Sequence, residues 1–118
     1  MAIISRNAIV ASQDIETAIV AVPEWGGDVC VRAINGRTQA EFAKRVTEAQ
    51  DKGAGDLWSL KLWLVAQCLV DENGARLFAD GDESVLAEKS AKVINRIADR
   101  VMELGGMTED SQKEVRGN

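Results

Sequence analysis

The side chains best suited to chemistry lie in one acidic stretch beyond the middle of the chain. Asp71, Glu72 and Asn73 precede Gly74, and Asp80, Asp82 and Glu83 follow shortly after. Oxygen donors of this kind suit a hard cation such as calcium, and paired carboxylates can do general acid–base work. A calcium loop, however, needs its ligands at fixed positions and a bidentate Glu to close the site, and that spacing is missing. Tight turns use the same Asp, Asn and Gly residues, because their side chains bond the nearby backbone. Turn chemistry is therefore the expected role, and a small metal-dependent hydrolase is the catalytic alternative.

Other reactive constellations are missing. The chain has no histidine, so the usual general base and the usual transition-metal ligand are both absent. Cys30 and Cys68 sit in separate apolar runs, with neither the C-x-x-C spacing of a zinc site nor a His partner to activate a thiolate. They read as buried, reduced thiols rather than a disulfide. No nucleophile elbow, phosphate loop or dinucleotide fingerprint occurs. The expectation is no catalytic residue, no metal and no cofactor: a protein that is not an enzyme and acts by binding other proteins.

The elements around these residues belong to one small domain. The chain has 118 residues, of which 46% are apolar and 28% charged, enough for a single hydrophobic core. Net charge is −5 and the basic residues are scattered, so no positive surface for nucleic acid is advertised. The longest apolar stretch is interrupted by Lys61 and Gln67, well short of the ~20 residues that cross a bilayer. Arg6 interrupts the N-terminal apolar run, so no signal-peptide core is expected and the chain is placed in the cytoplasm.

The pattern predicts an α+β fold, mostly helical, with an N-terminal β-hairpin and about three principal helices. Ser5 is placed to cap a short helical turn over residues 6–10. TAIVAV at residues 17–22 reads as a strand stopped by Pro23, and DVCVRAI at 28–34 alternates as its partner. Gly26-Gly27 permits the reversal between them. Thr38 and Glu41 have capping-box spacing for a helix to about residue 50, burying Phe42 and Val46. Residues 51–56 read as a loop, with Asp56 capping a second helix over 57–70. After a turn at 71–74 and an extended piece at 76–78, a short helical turn is expected at 84–89. The final helix, over about 90–104, buries Ile94, Ile97, Val101 and Leu104, exposes Lys92, Asn95, Arg96, Asp99, Arg100 and Glu103, and stops at Gly105-Gly106. Residues 1–106 form the domain and 107–118 a polar tail.

The helix over 57–70 is apolar on every side, as befits either the centre of a core or a contact with another chain. Trp58, Leu62 and Trp63 are the candidate protein-binding residues there, with plain core as the alternative. Trp25, in the hairpin turn, is a fourth candidate, whose structural alternative is to fold back and pin the strands. An exposed strand such as Thr17–Val22 can also pair with a neighbouring copy and build rings or filaments, so self-association is expected.

Three segments carry a family resemblance. VPEWGGDVCVRAINGRTQAEF at 22–42 resembles the opening of siphophage tail assembly chaperones, where such a turn joins two strands before the first helix. CLVDENGARLF at 68–78 is similar to the family's second signature. AEKSAKVINRIADRVMELGG at 87–106 looks like its closing helix, with Gly105 where Asn is common. The resemblance spans about residues 5–106. It implies a chaperone that binds the tape measure protein, keeps it soluble and helps recruit tail tube protein, in the host cytoplasm and absent from the mature virion. Many such chaperones are also made as a longer product by a programmed frameshift; by that resemblance 107–118 would be the join to the extension and this chain the short form. The alternative of a different class is a structural virion component, such as a head–tail connector or tail-completion protein.

Overall fold

The computed structural model describes residues 3–106, without the side chains of residues 54–56. The predicted tail at 107–118 and the capping role of the Asp56 side chain therefore lie outside what it describes. The first element, α1 (Arg6–Ala11), starts where the sequence places it: Ser5 Oγ accepts the Ala8 N–H at 3.2 Å. None of its residues is buried.

The hairpin follows. Strand β1 (Thr17–Val22) ends at Pro23, whose ring cannot donate to a sheet. A 3-10 turn over Pro23–Trp25 leads to Gly26, whose φ of +85° is the left-handed conformation that glycine adopts without steric cost. Strand β2 (Gly27–Arg32) returns antiparallel, from Val22 opposite Gly27 to Thr17 opposite Arg32. Val20, Val22 and Val31 face the core, as the alternation predicts.

Helix α2 (Gly36–Lys52) begins earlier than the capping box suggests. Asn35 holds an extended conformation and its Oδ1 accepts the Thr38 N–H at 2.9 Å, so Asn35 is the cap and Thr38 already lies inside the first turn. Asn is as good an N-cap as Thr, and capping earlier adds helix. Glu41, expected to reach back to the cap, instead accepts from Arg45 Nε at 3.1 Å, one turn on. The predicted loop at 51–56 contracts to Gly53, with φ +111°, because a single glycine makes the turn between α2 and α3 (Ala54–Cys68).

Helix α3 ends two residues before the predicted stop. Leu69 is extended, and β3 (Leu69–Val70) joins the sheet antiparallel to β2, giving the order β1-β2-β3. A short apolar run suits helix or strand equally by pattern, and the open edge of β2 decides the matter. The segment at 76–78 then returns along β3: Arg76 bridges to Val70, and Leu77 N–H donates to Leu69 O at 3.1 Å. Helix α4 (Glu83–Leu86) is shorter than predicted and buries Leu86.

Helix α5 (Ala91–Leu104) closes the fold and stops at Gly105. Its face of Val93, Ile94, Ile97, Ala98 and Val101 is wholly buried against α3 and the sheet; Leu104, predicted for the same face, is half-buried at its end. Both cysteines are free, Cys68 buried and Cys30 half-buried. Burial pushes the Cys68 thiol up to about 12, which keeps it protonated and unreactive at neutral pH.

Candidate protein-interaction surface

The four candidate contact residues fall on two elements. Leu62 and Trp63, on α3, are 6% and 7% exposed and belong to the core of this one chain. The Arg45 guanidinium from α2 lies over the Trp63 ring, 4.6 Å from its centroid, a cation–π arrangement that fixes both. Trp63 also lines a concavity of about 330 Å³ with Arg37, Glu41, Arg45, Gln67 and Asp80. Trp58 is half-buried on the same helix. Lys61 Nζ lies 5.5 Å from its ring centroid and donates to Asn95 Oδ1 of α5 at 2.6 Å.

Trp25 is half-buried at the hairpin tip, packed against the core. The tip is held by a fork from the face of α5 that the periodicity predicts to be solvated. Arg96 of α5 donates from Nη1 to Glu24 Oε1 at 2.9 Å and from Nη2 to Glu24 Oε2 at 2.6 Å, and Nη1 also reaches Ala21 O at 3.2 Å. The Arg96 bonds hold the Glu24 carboxyl at about 2, below its ordinary range. Only the folding of hairpin onto helix brings Glu24 and Arg96 together, so no local spacing could have announced them.

The acidic stretch is occupied with its own backbone. Asp71 Oδ1 accepts the N–H groups of Asn73 and Ala75 at 2.8 and 3.0 Å, and Asp82 Oδ2 accepts that of Ala79 at 3.0 Å. Asp80 Oδ1 accepts from Arg76 Nη1 and Gln67 Nε2, both at 3.1 Å; the Arg76 bond leads in lowering the Asp80 pKa. Among the described residues no three His, Cys, Asp or Glu side chains are grouped to hold a metal ion. No helix there is long and apolar enough to cross a membrane.

Large apolar side chains are uncovered elsewhere. Ile3, Ile4, Ile9, Val10, Ile15 and Ile19 are all exposed, concentrated before and within β1, with Ile3 at 96% and Ile19 at 66%. The alternation within the strand is legible in the sequence; the segment before it carries a weaker signal, an apolar run too short to make a core-packing helix.

The family model described as phage tail assembly chaperone matches residues 5–114. The solved structure of the bacteriophage HK97 tail assembly chaperone shares the fold, with a TM-score of 0.62 at 19% identity, over 83% of this chain and 90% of that one. No curated protein matches the sequence.

Proposed function

Because the chain belongs to the phage tail assembly chaperone family, we propose that it binds the tape measure protein during tail assembly, keeps it soluble and helps recruit tail tube protein. The family match along residues 5–114 carries this reading. The apolar surface at residues 3–19 supports it, since a carrier of an apolar client needs uncovered hydrophobic area on an otherwise charged molecule. The role is non-enzymatic and is exercised in the host cytoplasm, and the protein leaves before the virion is complete. Tube recruitment runs through a longer frameshifted product joined at 107–118.

Client contact on the folded domain involves Trp58 and Trp25 directly, since both are only half-buried. Leu62 and Trp63 contribute from beneath by fixing the position of α3. The test is co-expression with the tape measure protein of the same genome and co-purification on a tag carried by this chain. A soluble, co-eluting client is the expected result; a client that stays in the pellet with both the short and the extended product overturns the reading. Trp58→Ser should lower client recovery with little change in thermal stability, whereas Trp63→Ser should unfold the domain. Mass spectrometry of purified virions should find no copy of this chain, and a stoichiometric presence there would favour a structural component.

A further inference from the structure

Three concavities share walls along the start of α2. The first, of about 490 Å³, has Asp14, Ile15 and Glu16 in its lining together with Leu104 and Gly105, the end of α5. Ala33, Ile34 and Asn35 line it too, and with Ile15 they also line a small second hollow of about 40 Å³. Thr38 and Gln67 pass from that hollow into the third, the concavity of about 330 Å³ beside Arg37, Arg45 and Trp63. Together they make one groove whose character changes along its length. The α5 end is apolar, with Ile15 exposed and Ile34 and Leu104 half-buried, and it carries the acidic Asp14 and Glu16. The far end is cationic. There Arg32 donates only to a backbone carbonyl, Gln67 O, at 3.2 Å, and among the described residues neither Arg32 nor Arg37 has a carboxylate partner. Glu41 and Asp80, the carboxylates of that end, are already bonded to Arg45 and Arg76.

We propose that this groove is the seat of the chain's own C-terminal segment, beginning at Met107. The described chain reaches Gly106, one residue past the Gly105 that lines the apolar end, so the backbone delivers Met107 there. Gly106, with φ +70°, has the left-handed conformation that turns a chain aside at a helix end. The order of side chains then matches the order of the groove: Met107 is apolar, Thr108 uncharged, and Glu109 and Asp110 acidic. A methionine thioether adapts to a shallow apolar site such as that between Ile15, Ile34 and Leu104. Met107 and Thr108 pass Asp14 and Glu16 without like-charge repulsion, and Glu109 and Asp110 arrive where Arg32 and Arg37 lack acidic partners. The reach fits as well. Helix α2 rises about 12 Å from Arg37 to Arg45, which an extended segment covers in about four residues. The family match runs on to residue 114, so the shared pattern continues past the end of α5 into this segment. Tethering at Gly106 gives the tail a high effective concentration at the groove, which selects it over an acidic segment of another protein. While seated, the tail shuts the groove beside Trp63 to such segments.

The test is cross-linking in the full-length chain, with Cys30→Ser and a tail cysteine from Ser111→Cys. A second cysteine is placed either in the groove, Thr38→Cys, or on the exposed side of α5, Arg100→Cys. Position 100 is nearer to 111 along the chain, so an unseated tail closes on it at least as readily. Under mild oxidation the 38–111 disulfide should form within one chain about tenfold faster than the 100–111 disulfide. Arg37→Glu should remove that preference. Glu109→Lys combined with Asp110→Lys should do the same without altering the domain, and added salt should weaken the preference by screening. A 100–111 disulfide that forms as fast or faster overturns the proposal, as does a preference for position 38 that both charge reversals leave intact. A 38–111 disulfide that forms only between chains overturns it too, and assigns the groove to the tail of a second copy.

Discussion

Helices α1 and α5 carry the same kind of apolar side chain and meet opposite fates. In α5, Val93, Ile94, Ile97 and Val101 are wholly buried; in α1, Ile9 and Val10 are exposed and nothing is buried. Length is part of the reason: α5 has 14 residues and α1 only 6, far below the ~12–15 at which an isolated helix is even marginal in water. Helix α1 is held by local bonds: Ser5 Oγ accepts the Ala8 N–H at its start, and Ser12 Oγ donates to Ile9 O, 2.7 Å, at its end. The contrast teaches that apolarity alone does not place a residue in the core. A neighbouring element must be there to cover it, and among the described residues none buries any part of α1.

Native-state hydrogen exchange should show the difference at its largest. Amides in the middle of α5 should exchange only at free energies close to global unfolding, and those of α1 at close to zero. Equal protection would break the comparison and point to a partner already seated on α1. Side-chain truncation sharpens it next. Ile97→Ala should destabilise by about 2–5 kcal/mol in denaturant titration, through lost burial and the cavity left behind. Ile9→Ala should stay within about 0.5 kcal/mol, as for a surface site.

The start of α2 offers a smaller contrast of the same type, between a residue that caps and one that only has capping spacing. Asn35→Ala should cost about 1 kcal/mol of unfolding free energy, and Thr38→Ala a few tenths at most. The reverse order would restore the capping box. Smaller still is the pin between hairpin tip and α5. Because the folded Glu24 titrates at about 2, below its ordinary 4.5, its contribution is complete above about 4.5 and is lost as pH falls toward 2. The melting temperature of Glu24→Gln should therefore lie below that of the parent at neutral pH, and the gap should close across that interval. A gap constant with pH would show that Glu24 acts by packing alone.

Much of the fold was legible because its signals are local. Strand β1 matches its predicted limits, since Pro23 ends it whatever surrounds it. Ser5 caps α1, Gly105 stops α5, and the spacing of Ile94, Ile97 and Val101 named the buried face. The elements that were misread turn on choices between two locally adequate options. Asn35 and Thr38 are both good caps; Gly53 could end a loop or make one; Leu69 and Val70 could extend α3 or join β2. The candidate surface was legible only in part. The pattern found α3 apolar all round, but not that Leu62 and Trp63 are enclosed while the segment ahead of β1 is bare.

By itself the sequence determined the chemical repertoire and the local grammar. It contains no histidine and no nucleophile–base set, an acidic stretch built for turns, and periodicities that mark two strands and three long helices. Tertiary structure decided which apolar faces are covered, that β2 gains a third strand, and that Arg96 crosses from α5 to hold Glu24 and Ala21 O. The physical reason is range. Capping, turn conformation and side-chain periodicity are set within a few residues, whereas burial and pairing across the fold depend on which distant element arrives to supply the other half.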